Sequence, residues 1–433
     1  MLQSRLAAKD SLVIRGARVL DPAHRVDTTM DVRVDQGVVA ALGTDLDTNA
    51  HRVLDAQGLV LAPAFVDPHV HLRTPGRQDE ETIASGTAAA AAGGYCAILA
   101  MPNTDPVVDA PAAVRSLVET ARADAEIPVG FLAAITKGQR GAELTEMGAL
   151  TDAGAVGFTD DGVPVGSPAL MRRALQYAST TSRRVAVHCE EPTLSRAGQM
   201  HEGAASAELG FAGYPSLAES VMVERDLAIA AHEREPVHLM HLSALESVQA
   251  LRRARQAGVP ATGEATPHHL CRTDDAVRSL DPNLKMNPPL RSADDRAALI
   301  AGLRDGVITC IATDHAPHAR QEKDVPFEEA PFGVTGLETA FPALYTNLVE
   351  PGLVPLETIL ERLSAGPARA YGLDEPRIVV GAPANLVLLD LNASYRITED
   401  GFRSQSVNSW LLGETVQSRV RATVADGRLV FVG

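Results

Sequence analysis

Two histidines in the first part of the chain have the type and spacing of metal ligands. His69 and His71 are separated by one residue in the segment from Asp67 to Arg73. Alternate side chains of an extended segment project from the same face, so both imidazoles could bind one cation. Such a pair also occurs by chance or for packing, so it indicates a metal site only if further ligands converge on it.

Further candidate ligands follow a series of short apolar segments. Eight such segments alternate with longer helical stretches, a pattern that predicts repeated βα units around a parallel sheet. The predicted strands are Leu59–Val66, Tyr95–Ala100, Val129–Ile135, Ala155–Phe158, Arg184–Val187, Pro236–Met240, Ala261–Glu264 and Val307–Ala312. Eight βα units predict an α/β fold with a TIM-type (β/α)8 barrel, whose active site is built at the carboxyl ends of the strands.

Polar side chains stand at the ends of all eight predicted strands, and all but one strand end offer a group for metal binding or proton transfer. Imidazole and carboxylate ligands without thiolates favour Zn²⁺ or a similar divalent ion. Four histidines and two aspartates are more than one catalytic zinc uses, so we expect two metal ions about 3.5–4 Å apart, bridged by a carboxylate. The residues at the strand ends are His69 and His71, Asn103, Lys137, Asp160 and Asp161, His188, His241, His268 and His269, and Asp314, with Asp161 or Asp160 as the bridge.

Both ends of the chain differ from this middle region. Residues 12–42 and 384–431 contain short alternating apolar and polar runs separated by turn signals, which is the pattern of antiparallel β-hairpins. We expect the two ends to form one small β-sandwich-like domain from residues 1–60 and 378–433, with a metal-dependent hydrolase barrel over residues 61–377.

The composition favours an ordinary globular enzyme. Of the 433 residues, 45% are hydrophobic and 22% are charged, and the formal net charge of -16 leaves no overall basic surface for nucleic acid or anionic lipid. An anionic ligand must therefore meet local positive charge. The four cysteines are scattered without a CxxC pair, which disfavours a disulfide framework, and residues 1–10 lack the apolar region of a secretory signal. We expect a cytoplasmic protein without a membrane span.

Two segments resemble the signature motifs of a known enzyme family. The segment Asp67–Pro75 and the string Ala312–His318, with Lys323 nearby, are similar to the motifs of dihydroorotases in the amidohydrolase superfamily, above all those of the monofunctional bacterial type. The resemblance covers nearly the whole chain. It implies two Zn²⁺ ions per subunit, bridged by Asp161 and a hydroxide, and metal ligands at His69, His71, Asp161, His188, His241 and Asp314.

The same resemblance implies a reaction and a substrate site. Dihydroorotases catalyse the reversible cyclisation of N-carbamoyl-L-aspartate to L-dihydroorotate in de novo pyrimidine biosynthesis, and Asp314 would be the catalytic residue that transfers the proton. Arg73 lies two residues beyond His71 on the same side of an extended segment, where its guanidinium could bind the substrate carboxylate. The implied substrate-binding residues are His71, Arg73, Asn103 and His318, with Asn287, Phe332 and Gly333 at the amide edge of the ring.

The identity of the bridging ligand and of its supporting residues is open at this point. Many relatives in the superfamily bridge their metals with a carboxylated lysine, for which Lys137 is the plausible candidate in this chain. We expect supporting or structural roles for Asp160, His268, His269 and His315, and a solvated loop for Glu190 and Glu191.

Two other functions compete with the dihydroorotase interpretation. A hydantoinase or allantoinase would open a similar cyclic amide, although Arg73, the Asp160–Asp161 pair and the Ala316–His318 element argue against it. A non-catalytic scaffold for aspartate transcarbamoylase would have lost the metal residues, which this chain retains. The sequence leaves open a homodimer, and it leaves open association with the transcarbamoylase even for an active enzyme.

Overall fold

Two eight-stranded sheets organise the computed structural model, which describes residues 2–49 and 51–433. One sheet is parallel throughout, and its strands are hydrogen-bonded in chain order. Barrel strands 1 to 8 are Phe65–Val70, Tyr95–Ala100, Val129–Ala133, Gly157–Phe158, Arg184–Val187, Val237–Leu239, Ala261–Ala265 and Cys310–Ile311. Successive parallel strands require crossover connections, which in this chain contain helices, as the sequence predicts.

The parallel sheet closes between barrel strands 8 and 1. His71 N donates a hydrogen bond of 2.8 Å to His315 O, and Val70 and His315 form a parallel bridge. Leu99 and Leu132, from neighbouring strands, belong to a buried cluster that draws on residues from around the sheet. The barrel is therefore closed and filled, and the predicted α/β barrel class is confirmed.

The first predicted barrel strand is wrong in its bounds. The apolar run over Leu59–Val66 forms two strands: Val60–Pro63 pairs with strands from both chain ends, and Phe65–Val70 is barrel strand 1. Every residue of both strands is buried, so hydrophobicity alone does not mark where the chain passes from one sheet to the other. Residues 61–63 thus pair with the terminal strands, while the domain limits at 60 and 378 stay a prediction.

The second sheet unites the two ends of the chain, as predicted. Its path runs through the last three strands, then Val60–Pro63, then the first three strands, with Arg52–Asp55 paired to the first. Side chains of this sheet form a hydrophobic core separate from that of the barrel, which includes Leu12, Val32, Leu386 and Val424. The other strands are Leu12–Asp21, Val26–Asp35, Val38–Gly43, Leu386–Arg396, Thr415–Ala425 and Arg428–Val432, and a two-stranded pair, Met200–His201 with Gly213–Tyr214, forms apart from both sheets.

Helices connect the barrel strands, and two of them begin at serine caps. Ser167 and Ser292 cap helices by accepting hydrogen bonds from the backbone N–H groups of Leu170 and Asp295. Among the helices of the described residues, none has the length and apolar character needed to cross a membrane. The α-helices are Ile83–Ala92, Pro111–Asp124, Met147–Ala153, Pro168–Ser179, Pro192–Ser195, Ala204–Leu209, Leu217–Glu233, Leu245–Gln256, Pro267–Cys271, Ala293–Arg304, Arg320–Lys323, Ala340–Leu344, Leu356–Leu363 and Ala365–Tyr371.

A close contact beneath the barrel gives a test of this packing. Gly366, in the last helix, has so little space that an added Cβ would lie 2.1 Å from the carbonyl oxygen of Thr309, just before barrel strand 8. Because this neighbour is backbone, we expect Gly366→Ala to lower the free energy of unfolding by about 1–3 kcal/mol. Thermal unfolding followed by circular dichroism measures the change.

Gly166 provides the matched control, because no atom of the described chain lies within 4 Å of the place that an added Cβ would take, and its φ is not in the left-handed region. Gly166→Ala should change the free energy of unfolding by no more than about 0.5 kcal/mol. Equal melting temperatures for the two variants would contradict the close packing at Gly366.

Candidate metal centre

Side chains from five barrel strands converge at the carboxyl-terminal rim. Asp161 lies closest to the centre: its Oδ1 is 3.5 Å from His69 Nε2, 3.7 Å from His241 Nε2 and 4.0 Å from His188 Nδ1. Its Oδ2 is 3.4 Å from His71 Nε2. One carboxylate therefore faces all four imidazoles that the resemblance assigned to a metal.

Asp314 approaches the same cluster from barrel strand 8. Its Oδ1 lies 3.4 Å from His69 Nε2 and 3.1 Å from His71 Nε2. Beyond Asp161, His188 Nδ1 lies 2.8 Å from His241 Nε2. The structure thus brings all six predicted ligands together, and sets such as His69, His71 and Asp314 have ligand atoms within 4.8 Å of one another.

The charge and burial of this cluster fit a cation. Burial alone would lower the pKa of His69, but Asp161 and Asp314 outweigh it and hold that pKa well above its ordinary value. Burial likewise opposes the charge of Asp161, yet the facing imidazoles, His69 foremost, hold its pKa well below the usual range. His69 Nε2 is buried and has no hydrogen-bond partner among the described residues. A buried set of imidazole nitrogens and carboxylate oxygens, in which one nitrogen has no hydrogen-bond partner, suits a divalent metal.

Two acceptors fix which ring nitrogens of His69 and His71 face the cluster. His69 Nδ1 lies 2.8 Å from Glu264 Oε1, and His71 Nδ1 lies 2.9 Å from Asn103 Oδ1. Each of these nitrogens must donate, which leaves the Nε2 lone pair for the centre. Glu264 also lies 2.9 Å from His238 Nε2 and accepts a 3.2 Å hydrogen bond from the backbone N–H of His241.

Sequence reasoning assigned no role to Glu264 or His238. Both are fully buried, and although burial opposes its charge, hydrogen bonds from His238 and His69 lower the pKa of Glu264 to about 2. A glutamate next to the end of a buried barrel strand was the available signal, because an ionised carboxylate is rarely buried without partners.

The expectation that Glu190 lies in a solvated loop is wrong. Its side chain is 15% exposed, and its Oε2 lies 2.9 Å from His188 Nε2 and accepts a 3.0 Å hydrogen bond from Asn287 Nδ2. Burial opposes its charge, but these contacts and one from Ser195 lower the pKa of Glu190 to about 2. Its neighbour Glu191 instead caps the short helix Pro192–Ser195 by accepting a hydrogen bond from Thr193 N.

Asp160 and Lys137 lie outside the cluster. Asp160 accepts hydrogen bonds from the backbone N–H groups of Ile135 and Thr136, at 2.8 and 3.0 Å, which confirms a supporting role at the end of barrel strand 3. Burial raises its pKa to about 6. The side chain of Lys137 is 47% exposed and pairs with Glu143, so it points away from the imidazoles.

The remaining histidines of the rim have supporting contacts. His315 Nε2 lies 3.1 Å from Glu81 Oε2, which confirms a structural role, and His269 Nε2 lies 2.9 Å from Pro288 O. His268 is packed against His269, and no hydrogen-bond partner within the described residues reaches its Nε2. Burial holds the pKa of both rings of this pair below the ordinary value.

Arg73 and His318 lie side by side next to the cluster. Arg73 Nη2 is 3.4 Å from His318 Nε2, and both side chains contact the buried Glu80 at 3.0 Å. His318 Nε2 also lies 2.8 Å from Phe332 O. Burial lowers the pKa of Arg73, whose Nε donates a 3.0 Å hydrogen bond to Pro317 O.

Asn103, Asn287 and Gly333 also lie near the cluster or the Arg73–His318 pair. Asn103 Nδ2 donates a 3.1 Å hydrogen bond to Asp161 Oδ2, so both ends of its amide have partners in the cluster. Asn287 Oδ1 is buried and, in the described part of the chain, lacks a hydrogen-bond partner. Gly333 has a φ of 127° and approaches Ala316 so closely that an added Cβ would lie 2.7 Å from the alanine Cβ.

Three residues of the centre have left-handed backbone conformations. Arg73, His241 and Asp314 have φ values of 53°, 32° and 49°. Non-glycine residues rarely adopt this region, and such conformations concentrate at functional sites, where the surrounding structure holds them. In this barrel they turn the chain sharply at the ends of strands 1, 6 and 8.

Comparison with known proteins gives a consistent assignment. Residues 58–247 match the family model described as dihydro-orotase-like. The chain is 43% identical over 424 residues to a dihydroorotase of Trichlorobacter lovleyi, covering 98% of this chain and 100% of the relative. It is 45% identical over 405 residues to a dihydroorotase of Halalkalibacterium halodurans, covering 93% and 94% of the two chains.

Similar solved structures include cyclic-amide hydrolases. The L-hydantoinase (dihydropyrimidinase) of Arthrobacter aurescens has a TM-score of 0.87 at 25% identity and covers 97% of this chain and 96% of its own. The dihydropyrimidinase of Brevibacillus agri has a TM-score of 0.83 at 22% identity, covers 97% and 94%, and shares the fold. With dihydroorotases matching nearly its full length at over 40% identity, the chain belongs to the dihydroorotase family of the amidohydrolase superfamily and is an enzyme of that family.

Proposed function

We propose that this enzyme interconverts N-carbamoyl-L-aspartate and L-dihydroorotate. The observation that carries the proposal is the adjacency of a buried histidine–aspartate cluster to the Arg73–His318 pair, whose nearest side-chain atoms are 3.4 Å apart. A hydrolase for this ring needs a site for the amide carbonyl and, beside it, a site for a carboxylate. Full-length similarity to dihydroorotases supports the same reaction.

Two Zn²⁺ ions would be held by the six side chains of the cluster. His69, His71 and Asp314 form one group of donors, His188 and His241 form another, and Asp161 faces both. When bound, such ions make water nucleophilic near neutral pH and polarise the carbonyl group. The arrangement favours Asp161 over Asp160 or a carboxylated Lys137 as the bridging ligand, because only Asp161 faces the imidazoles.

The substrate carboxylate would bind Arg73 and His318, with Asn103 at its edge. A guanidinium makes two charge-assisted hydrogen bonds to a carboxylate, and the contacts of Arg73 with Glu80 and Pro317 hold the side chain in one orientation. Asn287, whose Oδ1 has no partner in residues 2–49 and 51–433, would accept a hydrogen bond from a ring N–H. Phe332 and Gly333 would meet the amide edge through their backbones.

Asp314 would move the proton during ring opening and closure. Burial opposes its charge, but His69 and His71 hold the pKa of Asp314 far below the ordinary value, which keeps the carboxylate ionised. It faces the centre from the side of His71, with its Oδ1 3.1 Å from His71 Nε2. In hydrolysis the carboxylate would take the proton of the attacking water and deliver it to the departing amide nitrogen. Cyclisation would reverse these transfers.

Substrate preference tests the assignment directly. Purified enzyme supplied with Zn²⁺ should open L-dihydroorotate, because Arg73 and His318 can bind its carboxylate, and should open hydantoin and allantoin far more slowly. Ring opening followed by absorbance, and by chromatography for allantoin, measures the three rates. Turnover of hydantoin or allantoin without turnover of dihydroorotate would overturn the proposal, and zinc-loaded protein inactive on all three would favour the scaffold alternative.

Metal content tests the role of Asp161. Asp161→Asn keeps the shape of the side chain but removes the charge that faces both groups of imidazoles, so bound zinc should fall from about two ions per chain to about one or none. Inductively coupled plasma mass spectrometry after gel filtration gives the count. Asp152→Asn, in an exposed turn of the helix Met147–Ala153, is the matched control and should keep the wild-type count. An unchanged count in Asp161→Asn would exclude the bridging role.

Arg73 should govern substrate affinity more than turnover. Arg73→Gln removes charge-assisted hydrogen bonds that are present in both the ground state and the transition state, so KM for dihydroorotate should rise about 10- to 100-fold with a smaller change in kcat. Steady-state kinetics at a fixed metal content measure both constants. Arg115→Gln makes the same change at an exposed position on the helix Pro111–Asp124 and should leave them unaltered. A fall in kcat alone would assign Arg73 another role.

The quaternary arrangement of the enzyme is a separate question. A homodimer and an association with aspartate transcarbamoylase stay predictions from the family resemblance.

A further inference from the structure

A segment of the C-terminal region reaches the active-site rim. Residues 404–406 follow the strand Leu386–Arg396 in the chain, but their partners lie in the loop after barrel strand 1. Ser404 Oγ donates a hydrogen bond to Glu81, whose other oxygen accepts one of 3.2 Å from Gln405 N. Ser406 Oγ donates a 2.7 Å hydrogen bond to Glu80 O. The terminal region is therefore attached to the loop that carries Glu80.

Asn408 ends this segment and connects two further loops. The residue is buried, and its Oδ1 accepts a 3.0 Å hydrogen bond from His318 N. Its Nδ2 donates hydrogen bonds of 3.2 Å to Ala316 O and to Gly333 O. Its own backbone carbonyl accepts a 3.0 Å hydrogen bond from Thr335 N. One amide thus bridges the loop after barrel strand 8 and the segment around Gly333.

These two loops also share a backbone contact, because Ala316 N donates a 2.8 Å hydrogen bond to Val334 O and His315 forms a parallel bridge with Val334. Gly333 has a left-handed φ of 127°, and its closest surroundings are Ala316 and His318 Nε2. The neighbouring Phe332 carbonyl contacts the His318 ring at 2.8 Å, so a shift of one loop against the other would break that contact as well. The side chain of Asn408 makes three hydrogen bonds, one as acceptor and two as donor, and each of them pairs with a backbone group.

We propose that Asn408 is a positioning residue, which sets the distance between the carboxylate-binding His318 and the ring-binding backbone at Gly333. The inference rests on the proposed function, because the two loops would bind two parts of the same substrate, the carboxylate and the ring. A carboxylate and the ring that bears it have a fixed separation, so the two loops must match it before substrate binds. Asn408 touches neither the metal cluster nor the Arg73 side chain in the contacts described above.

Asn408→Asp tests this role with almost no change in shape. The substitution removes both N–H donors and places a carboxylate oxygen against two buried carbonyl oxygens, so the loops should move apart. We expect KM for dihydroorotate to rise about tenfold or more, with kcat within about threefold of wild type. The affinity for orotate, a rigid ring with the same carboxylate, should fall by a similar factor in calorimetry. Zinc content and the fold by circular dichroism should match the wild type.

A matched control and a second variant complete the test. Asn392→Asp makes the same chemical change at an exposed position of the terminal sheet and should leave every constant at its wild-type value. If Asn408→Asp does not fold, Asn408→Ser, which adds no charge but cannot span both loops, should give the same rise in KM.

Three results would decide the matter. A folded variant with wild-type KM and orotate affinity would overturn the inference, as would a loss of activity that follows only from lost zinc. Wild-type enzyme without dihydroorotate turnover would instead refute the proposed function, whatever the variants do.

Discussion

The centre of this molecule is organised by one carboxylate that faces four imidazoles. The oxygens of Asp161 lie between 3.4 and 4.0 Å from ring nitrogens of all four histidines. Such an arrangement can bind a metal if each ring turns a lone pair inwards and a positive charge lies among the donors. The second requirement suits a metal cation. The first depends on residues outside the cluster.

Those outer residues fix the tautomers of the histidines in the cluster. Glu264, Asn103 and Glu190 each accept from the ring nitrogen that points away from the centre, at 2.8 to 2.9 Å. Each also has a second partner: Glu264 holds the backbone of His241, and Glu190 holds Asn287. Orientation of the histidine–aspartate cluster and of Asn287 is therefore coupled through carboxylates that each contact two groups. Replacing one of them would disturb two groups at once, which is why such outer contacts matter nearly as much as the ligands.

The sequence was most informative where secondary-structure elements alternate in a regular pattern. Alternating strands and helices predicted the barrel, and the barrel predicted that distant histidines and aspartates would meet at one rim. Contacts that no period describes could not be predicted. Nothing in the sequence distinguishes the contacts of Glu190 from those of Glu191; only the positions of His188 and Asn287 in space do so. Asn408 likewise belongs to an irregular segment, and the partners of its side chain are 75 to 92 residues away in the chain.

Charge around the proposed carboxylate-binding pair is closely balanced. Arg73 and His318 both contact the buried carboxylate of Glu80, and Arg77 contacts it too, at 2.8 Å. The pair is thus already neutralised in part before any substrate arrives, and the protein as a whole carries a formal charge of -16. The excess positive charge of this pair is therefore a weak basis for binding an anionic ring. Directed hydrogen bonds from a guanidinium and an imidazole held by Glu80 are a stronger one, since their strength depends on alignment more than on net charge. Selectivity of this site then depends on the positions of its loops, and those positions are fixed in part by residues that come from the other end of the chain.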